Sequence, residues 1–194
     1  MGQGRVRIGI SGWRYAGWRG VFYPPKLPQR RELAFAAEQF PSVEINGTFY
    51  SLQRPSSFRA WAADTPGDFV FAVKAPQLIT HRYKLRNVEL ALANFFASGL
   101  LELGAKLGPV LWQFPPQMRY SRERFETFFA SLPRMQGALA STARLHGSRL
   151  EGRATTEVLS EVKAELPVRH CVEIRHESFA CPEFVELLRA HDVG

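Results

Sequence analysis

This 194-residue sequence is poor in cysteine (two) and lysine (five), and its first 31 residues contain no aspartate or glutamate. Cys171 and Cys181 are too few for a disulfide scaffold and lack the paired spacing of a zinc site, which suits a chain held by its core in a reducing cytoplasm. No run approaches the roughly 18 apolar residues of a membrane span. Residues 1–5 lack the apolar core that a secretory signal needs. A phosphate-binding loop, a G-x-G-x-x-G fingerprint and a G-x-S-x-G elbow are also absent, so chemistry built on an organic cofactor has no support.

The composition, 45% hydrophobic and 22% charged, suits one domain over residues 1–194. The net charge of +7 sits on Arg5, Arg7, Arg14, Arg19, Lys26, Arg30 and Arg31, because the remaining basic and acidic residues balance. Such a local field favours a phosphate, a carboxylate or nucleic acid; the alternative is a solvated basic face.

The chain alternates two periodicities. Residues 5–13, 42–46, 69–75, 109–114 and 170–176 are short runs rich in β-branched and aromatic residues, each bounded by turn residues, and are expected as strands. Between them lie helical stripes: Leu33, Ala36, Ala37 and Phe40; a segment after Pro55; Leu92, Phe95, Phe96, Leu100 and Leu103; then Phe125, Phe128, Phe129 and Leu132 behind a Ser121 cap. Weaker stripes follow at Leu139, Thr142, Ala143 and His146 and at Val158, Val162 and Leu166, and a last helix opens at Pro182. A sixth strand is due at Gly194.

Five strand-then-helix units predict a parallel α/β sheet. One strand face carries Ile8, Ile10, Val43, Ile45, Phe69, Phe71, Val73, Val110, Trp112, Phe114, Val172 and Ile174 and is expected to pack under helices. The other carries Gly9, Ser11, Trp13, Glu44, Asn46, Val70, Ala72, Lys74, Leu111, Gln113, Cys171, Glu173 and Arg175, with its polar members toward the strand C-termini. An open doubly wound sheet needs both faces apolar. The one-sided pattern therefore predicts a TIM-type barrel, incomplete here, since about 250 residues make a full one. Its open edge invites self-association. Cys171 starts a strand and Cys181 follows its far end, about 16 Å away and out of disulfide reach.

Seven motifs occur in a fixed order: G-x-S-G-W from Gly9, F-Y-P from Phe22, V-E-I-N-G-T-F-Y from Val43, F-A-V-K from Phe71, T-H at Thr80 and His81, Q-F-P-P from Gln113 and E-I-R-H-E-S-F from Glu173. As a set they resemble the YecE-like family, domain of unknown function 72. The resemblance implies a barrel of the triosephosphate isomerase type without an established activity. It also implies further βα units, with an R-x-H-G segment and a Phe-Asn-Asn-like run that this sequence lacks.

Glu44 and Glu173 face inward from strands two and five and form a candidate acid–base pair, since burial can raise one carboxyl and leave the other ionised. The competing reading pairs them as ions with Lys74 and Arg175. In a chain with twenty arginines and five lysines, an inward Lys74 offers an amine that holds a phosphate or forms a Schiff base. Arg175 is a bidentate donor, and Asn46 and Gln113 can read hydroxyls or amides. Trp13 and Tyr50 present rings at the mouth, and His81 and His176 stand at strand ends, where they titrate near neutrality. Glu44, Glu173 and His176 could supply part of a divalent metal site, but the spacing completes none, and no metal is assigned. The first expectation is an enzyme that binds a small anionic or hydroxylated ligand and carries out hydrolysis, isomerisation or lyase chemistry. The second is nucleic-acid binding through the basic N-terminal segment and the aromatic loop of residues 13–23. The third is a non-catalytic interaction module.

Overall fold

A computed structural model describes residues 6–152 and 164–194. Five strands, β1 (Ile10–Ser11), β2 (Ser42–Ile45), β3 (Val70–Lys74), β4 (Leu107–Gln113) and β5 (His170–Glu173), form one parallel sheet in the order β1-β2-β3-β4-β5. The helices are α1 (Glu32–Gln39), α2 (Gly47–Tyr50), α3 (Pro55–Ala63), α4 (Glu89–Ala97), α5 (Arg122–Ala130), α6 (Gln136–Ala143) and α7 (Pro182–Ala190). Each crossover leads to the adjacent strand, so every strand C-terminus lies at one end of the sheet. After α7 the chain returns beside β5, where Val193 bridges His170 in parallel and Gly194 bonds both His170 and Val172, which is where a sixth strand was expected.

The expected apolar face is the buried one: Val43, Ile45, Phe71, Val73, Val110, Trp112 and Phe114 are all buried. Two members depart from it. Ile8 is 73% exposed and Ile174 is 37% exposed, because the outermost strands have a neighbouring βα unit on one side only. The first strand also forms over Ile10–Ser11 rather than over residues 5–13.

The helices follow their stripes, with three corrections. Ser121 occupies the position before α5 with extended backbone, but its hydroxyl makes no capping bond. The helix expected to run from Glu89 through Leu103 breaks at Gly99, whose φ of 127° is open to glycine, and continues as a 3₁₀ segment, Leu100–Lys106. A side chain at position 99 would meet Pro55 Cα at 2.7 Å, so the start of α3 dictates the break. The stripe ending at His146 stops earlier, at Ala143. Val158 and Val162 lie outside the described residues. α4 is apolar on nearly every side because it packs under α6, as a helix covered all round must be. Lys106 donates to the Ala62 and Thr65 carbonyls at the end of α3, where a cation suits both the free carbonyls and the helix dipole.

Between β4, α5 and α7 the core is aromatic, with Trp112 on Phe128 (4.9 Å), Phe114 on Phe125 (5.1 Å) and Phe179 on Phe184 (4.9 Å). Such pairs are worth about 0.5–1.5 kcal/mol each beyond their burial. Polar groups enter this core too: the Tyr120 hydroxyl is buried there without a partner among the described residues, its ring on Phe125, Phe179 and Phe184, and His170 is buried with partners on both nitrogens. His170 Nδ1 lies 3.1 Å from Trp112 Nε1, which can only donate, so the imidazole proton sits on Nε2 and is donated to the Pro133 carbonyl at 2.8 Å. Burial pushes the His170 pKa down to about 4; the Pro133 bond opposes this and the Arg134 charge adds to it.

A folded-state pKa below the unfolded value of about 6.5 gives stability that is fully present above that value and lost as pH falls toward 4. The loss amounts to about 3 kcal/mol for this one group. We therefore expect ¹⁵N NMR to show a neutral Nε2–H imidazole for His170 well below pH 6, and His170→Gln to flatten the pH dependence of urea unfolding over that window. A folded-state midpoint near 6.5 would refute the assignment.

Candidate functional site

The face opposite the core carries the charge. Ser11 on β1 stands beside Glu44 on β2 and donates to its Oε1 at 3.1 Å, while Asn46 Nδ2 donates to Ser11 Oγ at 2.8 Å. Lys74, at the end of β3, holds its Nζ 3.8 Å from the same Glu44 oxygen. On the far side, Gln113 of β4 lies opposite Glu173 of β5 and donates to its Oε2 at 2.6 Å, while Arg175 donates to Oε1 at 2.8 Å. The sequence reading of Glu44 and Glu173 as ion-pair partners of Lys74 and Arg175 thus has its geometry. Burial pushes the Glu173 carboxyl up, but the bonds from Gln113 and Arg175 and the charges of Arg175 and Lys74 outweigh it and hold the pKa below the usual carboxylate range.

The V-E-I-N-G-T-F-Y segment explains how this face is held. After Glu44 and Ile45 the chain turns through α2, and the buried Thr48 hydroxyl lies within reach of the Ile45 carbonyl (2.8 Å) and the Lys74 carbonyl (2.6 Å), tying the end of β2 to the end of β3. Phe49 then lies beneath Lys74, whose Nζ is 5.4 Å from the ring centre, and meets His81 edge-on at 5.1 Å. His81 sits on a π turn, Leu78–Arg82, with its Nδ1 2.8 Å from Thr80 Oγ1. Burial lowers its pKa, and the Arg175 and Lys74 charges lower it further. Gly12, at φ 75°, lets the chain turn off β1; a side chain there would strike the Tyr15 hydroxyl.

Beside these groups opens a cleft of about 480 Å³, lined among others by Trp13, Arg14, Asn46, Tyr50, Lys74 and Gln113. Asn46 Oδ1 is buried at its edge without a partner, an acceptor whose burial is costly until a donor meets it. Trp13 is buried edge-to-face on Trp61 (5.4 Å), and Tyr50 stands exposed at the rim. Glu44, His81, Glu173, Arg175 and His176 are not part of the cleft lining; His176 Nδ1 accepts the Ser178 N–H at 3.1 Å and caps the turn Glu177–Phe179. The aromatic loop is largely consumed by its own packing, with Trp18, Phe22, Tyr23 and Phe35 in mutual contact and Arg19 bound to buried Glu32 at 2.7 Å. Of its residues, Trp13, Arg14 and Tyr15 reach the cleft.

Ser11, Thr48, Phe49, Gln53 and Trp61 are the cleft and support residues that sequence reasoning missed. Ser11 was legible, being on the polar face and one strand from Glu44; Trp61, on a helix, carried no signal. Among the described residues no group of three or more His, Cys, Asp or Glu is placed to share a metal ion, so Glu44, Glu173 and His176 are not gathered into one. Cys171 and Cys181 are free thiols. Burial, with the Glu44 charge added, pushes Cys171 up to about 11.

The model of a family described as "Protein of unknown function DUF72" matches residues 7–194. The chain belongs to the DUF72 family. It is 31% identical over 123 residues to the UPF0759 protein YunF of Bacillus subtilis, an alignment covering 61% of this chain and 43% of that protein. Against the UPF0759 protein YecE of Escherichia coli K12 it is 30% identical over 144 residues, covering 64% and 50%. It superposes on a DUF72 family protein of Thermotoga maritima with a TM-score of 0.67 at 26% identity, covering 96% of this chain and 62% of that one. On a DUF72 family protein of Enterococcus faecalis the TM-score is 0.61 at 16% identity, with 97% and 58% covered. The chain spans about half the length of the curated relatives it matches. The family assignment read from the seven motifs therefore stands, and no helix among the described residues is long and apolar enough to cross a membrane.

The cluster yields a check on its electrostatics. Lys74→Met removes one of the cations that depress His81, so the His81 midpoint in an NMR titration should rise from its wild-type position, which itself lies below 6.5. An unchanged midpoint would mean that the two groups do not share a site.

Proposed function

We propose that the polar face of this sheet floors an enzyme site at the C-terminal mouth of a TIM-type barrel, and that the site binds a small anionic or hydroxylated molecule. The observation that carries this reading is the convergence of Glu44, Lys74, Gln113, Glu173 and Arg175 at one end of one face, beside an open cleft, while the opposite face is apolar. Sequential strand order and one-sided polarity are what a barrel of βα units produces. The free thiols fit the reducing cytoplasm in which we place the chain.

In this reading Lys74 and Arg175 hold the negative group of the ligand. At 3.8 Å the Lys74–Glu44 pair is loose, so the ammonium can swing onto an anion without breaking a tight bond. Asn46, Gln113, Tyr50 and Trp13 orient the remainder, and His81, packed on Phe49 beneath Lys74, has its pKa lowered by burial and by the Arg175 and Lys74 charges. Glu173, held ionised by two donors, is suited to accept a proton or to anchor Arg175, and not to donate. Glu44, which accepts from Ser11 and faces Lys74, is the second carboxylate of the exchange: it takes a proton from the ligand and returns it to the ligand. Isomerisation needs no more than such an exchange, lyase chemistry adds the departure of a leaving group that takes up the returned proton, and hydrolysis adds a water as the attacking group.

Thermal melts against a panel of sugar phosphates and dicarboxylates test the reading. One ligand class should raise the wild-type midpoint by several degrees near saturation and leave Lys74→Ala unmoved. With that ligand identified, Glu44→Gln should lower kcat by about 100-fold or more. No response to any class, or an equal response in Lys74→Ala, would reject the site.

A further inference from the structure

A second concentration of charge lies on the two loops that leave the C-terminal ends of β3 and β4. Arg82, Lys84 and Arg86 from the first loop, Arg119 from the second and Arg124 from the first turn of α5 line one cleft of about 640 Å³, together with Tyr83, and no lining residue is acidic. Among the described residues none of these five side chains has an ion pair or a hydrogen bond, whereas other basic residues nearby do, such as Arg122 with Glu126.

These five like charges make no ion pair among the described residues, although Glu89 and Glu123 line the adjoining pocket with Arg86 and Arg124, so their repulsion is at most partly screened and the loops must be held by other means. In the first loop Leu85 is buried between exposed Lys84 and Arg86, its N–H bonds the Ile79 carbonyl at 3.1 Å, and Lys84, Leu85 and Asn87 adopt left-handed backbone with φ between 49° and 66°. Left-handed non-glycine residues cost about 1 kcal/mol or more each and persist where the surroundings over-determine them. In the second loop Met118 is buried and bonded to Pro115, and the Tyr120 N–H is taken by Ser178 at 2.9 Å, which leaves Arg119 exposed between two fixed residues. Buried anchors thus alternate with exposed cations on both sides of the cleft.

A site for a compact anion gathers buried donors around one point; here exposed guanidinium and ammonium groups stand on both walls of an open cleft, with the ring of Tyr83 45% exposed among them. Cations that track a backbone and an aromatic face that accepts any base are the two parts of a single-strand platform. We infer that this cleft binds single-stranded nucleic acid, with the five cations on its phosphates and Tyr83 stacked on a base. The inference does not depend on the acid–base chemistry at Glu44. It also moves the nucleic-acid reading away from the aromatic loop of residues 13–23, whose rings are already packed.

Fluorescence anisotropy with a short labelled single-stranded oligonucleotide tests it. Affinity should fall with salt at a log–log slope between about −2 and −3.5, as three to five neutralised phosphates require. Arg119→Ala/Arg124→Ala and Lys84→Ala/Arg86→Ala should each make the slope shallower by about 1.4, and Tyr83→Ala should weaken binding about fivefold or more at unchanged slope. All these side chains are exposed or partly so, and far-UV circular dichroism should match wild type. Lys74→Ala should bind the oligonucleotide as wild type does, so a failure of the central site and a failure of this cleft are separable. No binding at about 50 mM salt, wild-type slopes in both double variants, or wild-type affinity in Tyr83→Ala would each overturn the inference.

Discussion

Burial of one face of a five-stranded parallel sheet is the constraint on which the rest of this structure depends. Side chains alternate along a strand, so placing Val43 and Ile45, Phe71 and Val73, and Val110 and Trp112 under helices leaves no freedom for the residues between them. Glu44, Ala72, Leu111 and Gln113 must face the other way. A slip of one residue in β2 would drive Glu44 into the apolar layer, and the cost of an unpaired buried carboxylate, several kcal/mol, fixes the register more firmly than any single hydrogen bond. Because the strands are parallel and sequential, this rule acts five times in the same direction and delivers the polar residues to one end of one face.

On that face the protonation states follow from a contest between desolvation and donors. Glu173 is partly buried, which alone would favour the neutral acid, yet two side-chain donors and two neighbouring cations reverse the balance. His170 and Cys171, adjacent on β5, show burial winning: the Glu44 charge opposes the thiolate, and the imidazolium has the Pro133 carbonyl as acceptor but meets the Trp112 donor at Nδ1, so both are pushed toward their neutral forms, the imidazole in the aromatic core and the thiol on the polar face. One strand therefore carries a neutral imidazole, an inert thiol and a persistent carboxylate within four residues. Their difference comes from the partners on β4: Trp112 supplies one neutral donor to His170, and Gln113 aims its amide at Glu173.

The sheet and the inward set were legible because both rest on period two, which a sequence displays directly. Glu44, Lys74, Gln113 and Glu173 stand where alternation placed them, as does Ser11, whose role as donor to Glu44 needed only the pairing of β1 with β2. What escaped was set by groups distant in sequence. Gly99 breaks a helix because Pro55, from another element, occupies the space its side chain would need. Ser121 fits the capping pattern but makes no such bond, since composition marks a helix start without placing the hydroxyl. His176 looked available at a strand end, yet a serine two residues on satisfies it locally. The aromatic loop resembled a ligand platform for the same reason that it packs well: rings and guanidinium groups serve either purpose, and Arg19 met a buried Glu32 that no spacing rule connects to it.

Charge shows the limit of counting along a chain most plainly. All of the +7 is assigned by sequence to the first 31 residues, and the rest is neutral. In space part of that excess is matched. Arg19 is matched by Glu32 and the Arg7 guanidinium donates to the Asp68 carbonyl, while acids of the balanced remainder are taken by Arg59, Lys74, Arg122 and Arg175. Arg82, Lys84, Arg86 and Arg119 on two neighbouring loops and Arg124 on α5 make no ion pair among the described residues and line one cleft. At physiological salt a field decays over about 8 Å, so a ligand senses the residues lining one cleft and not the total for the chain. The positive field that a polyanion would meet is therefore set by Arg82, Lys84, Arg86, Arg119 and Arg124, from a stretch whose summed charge is zero.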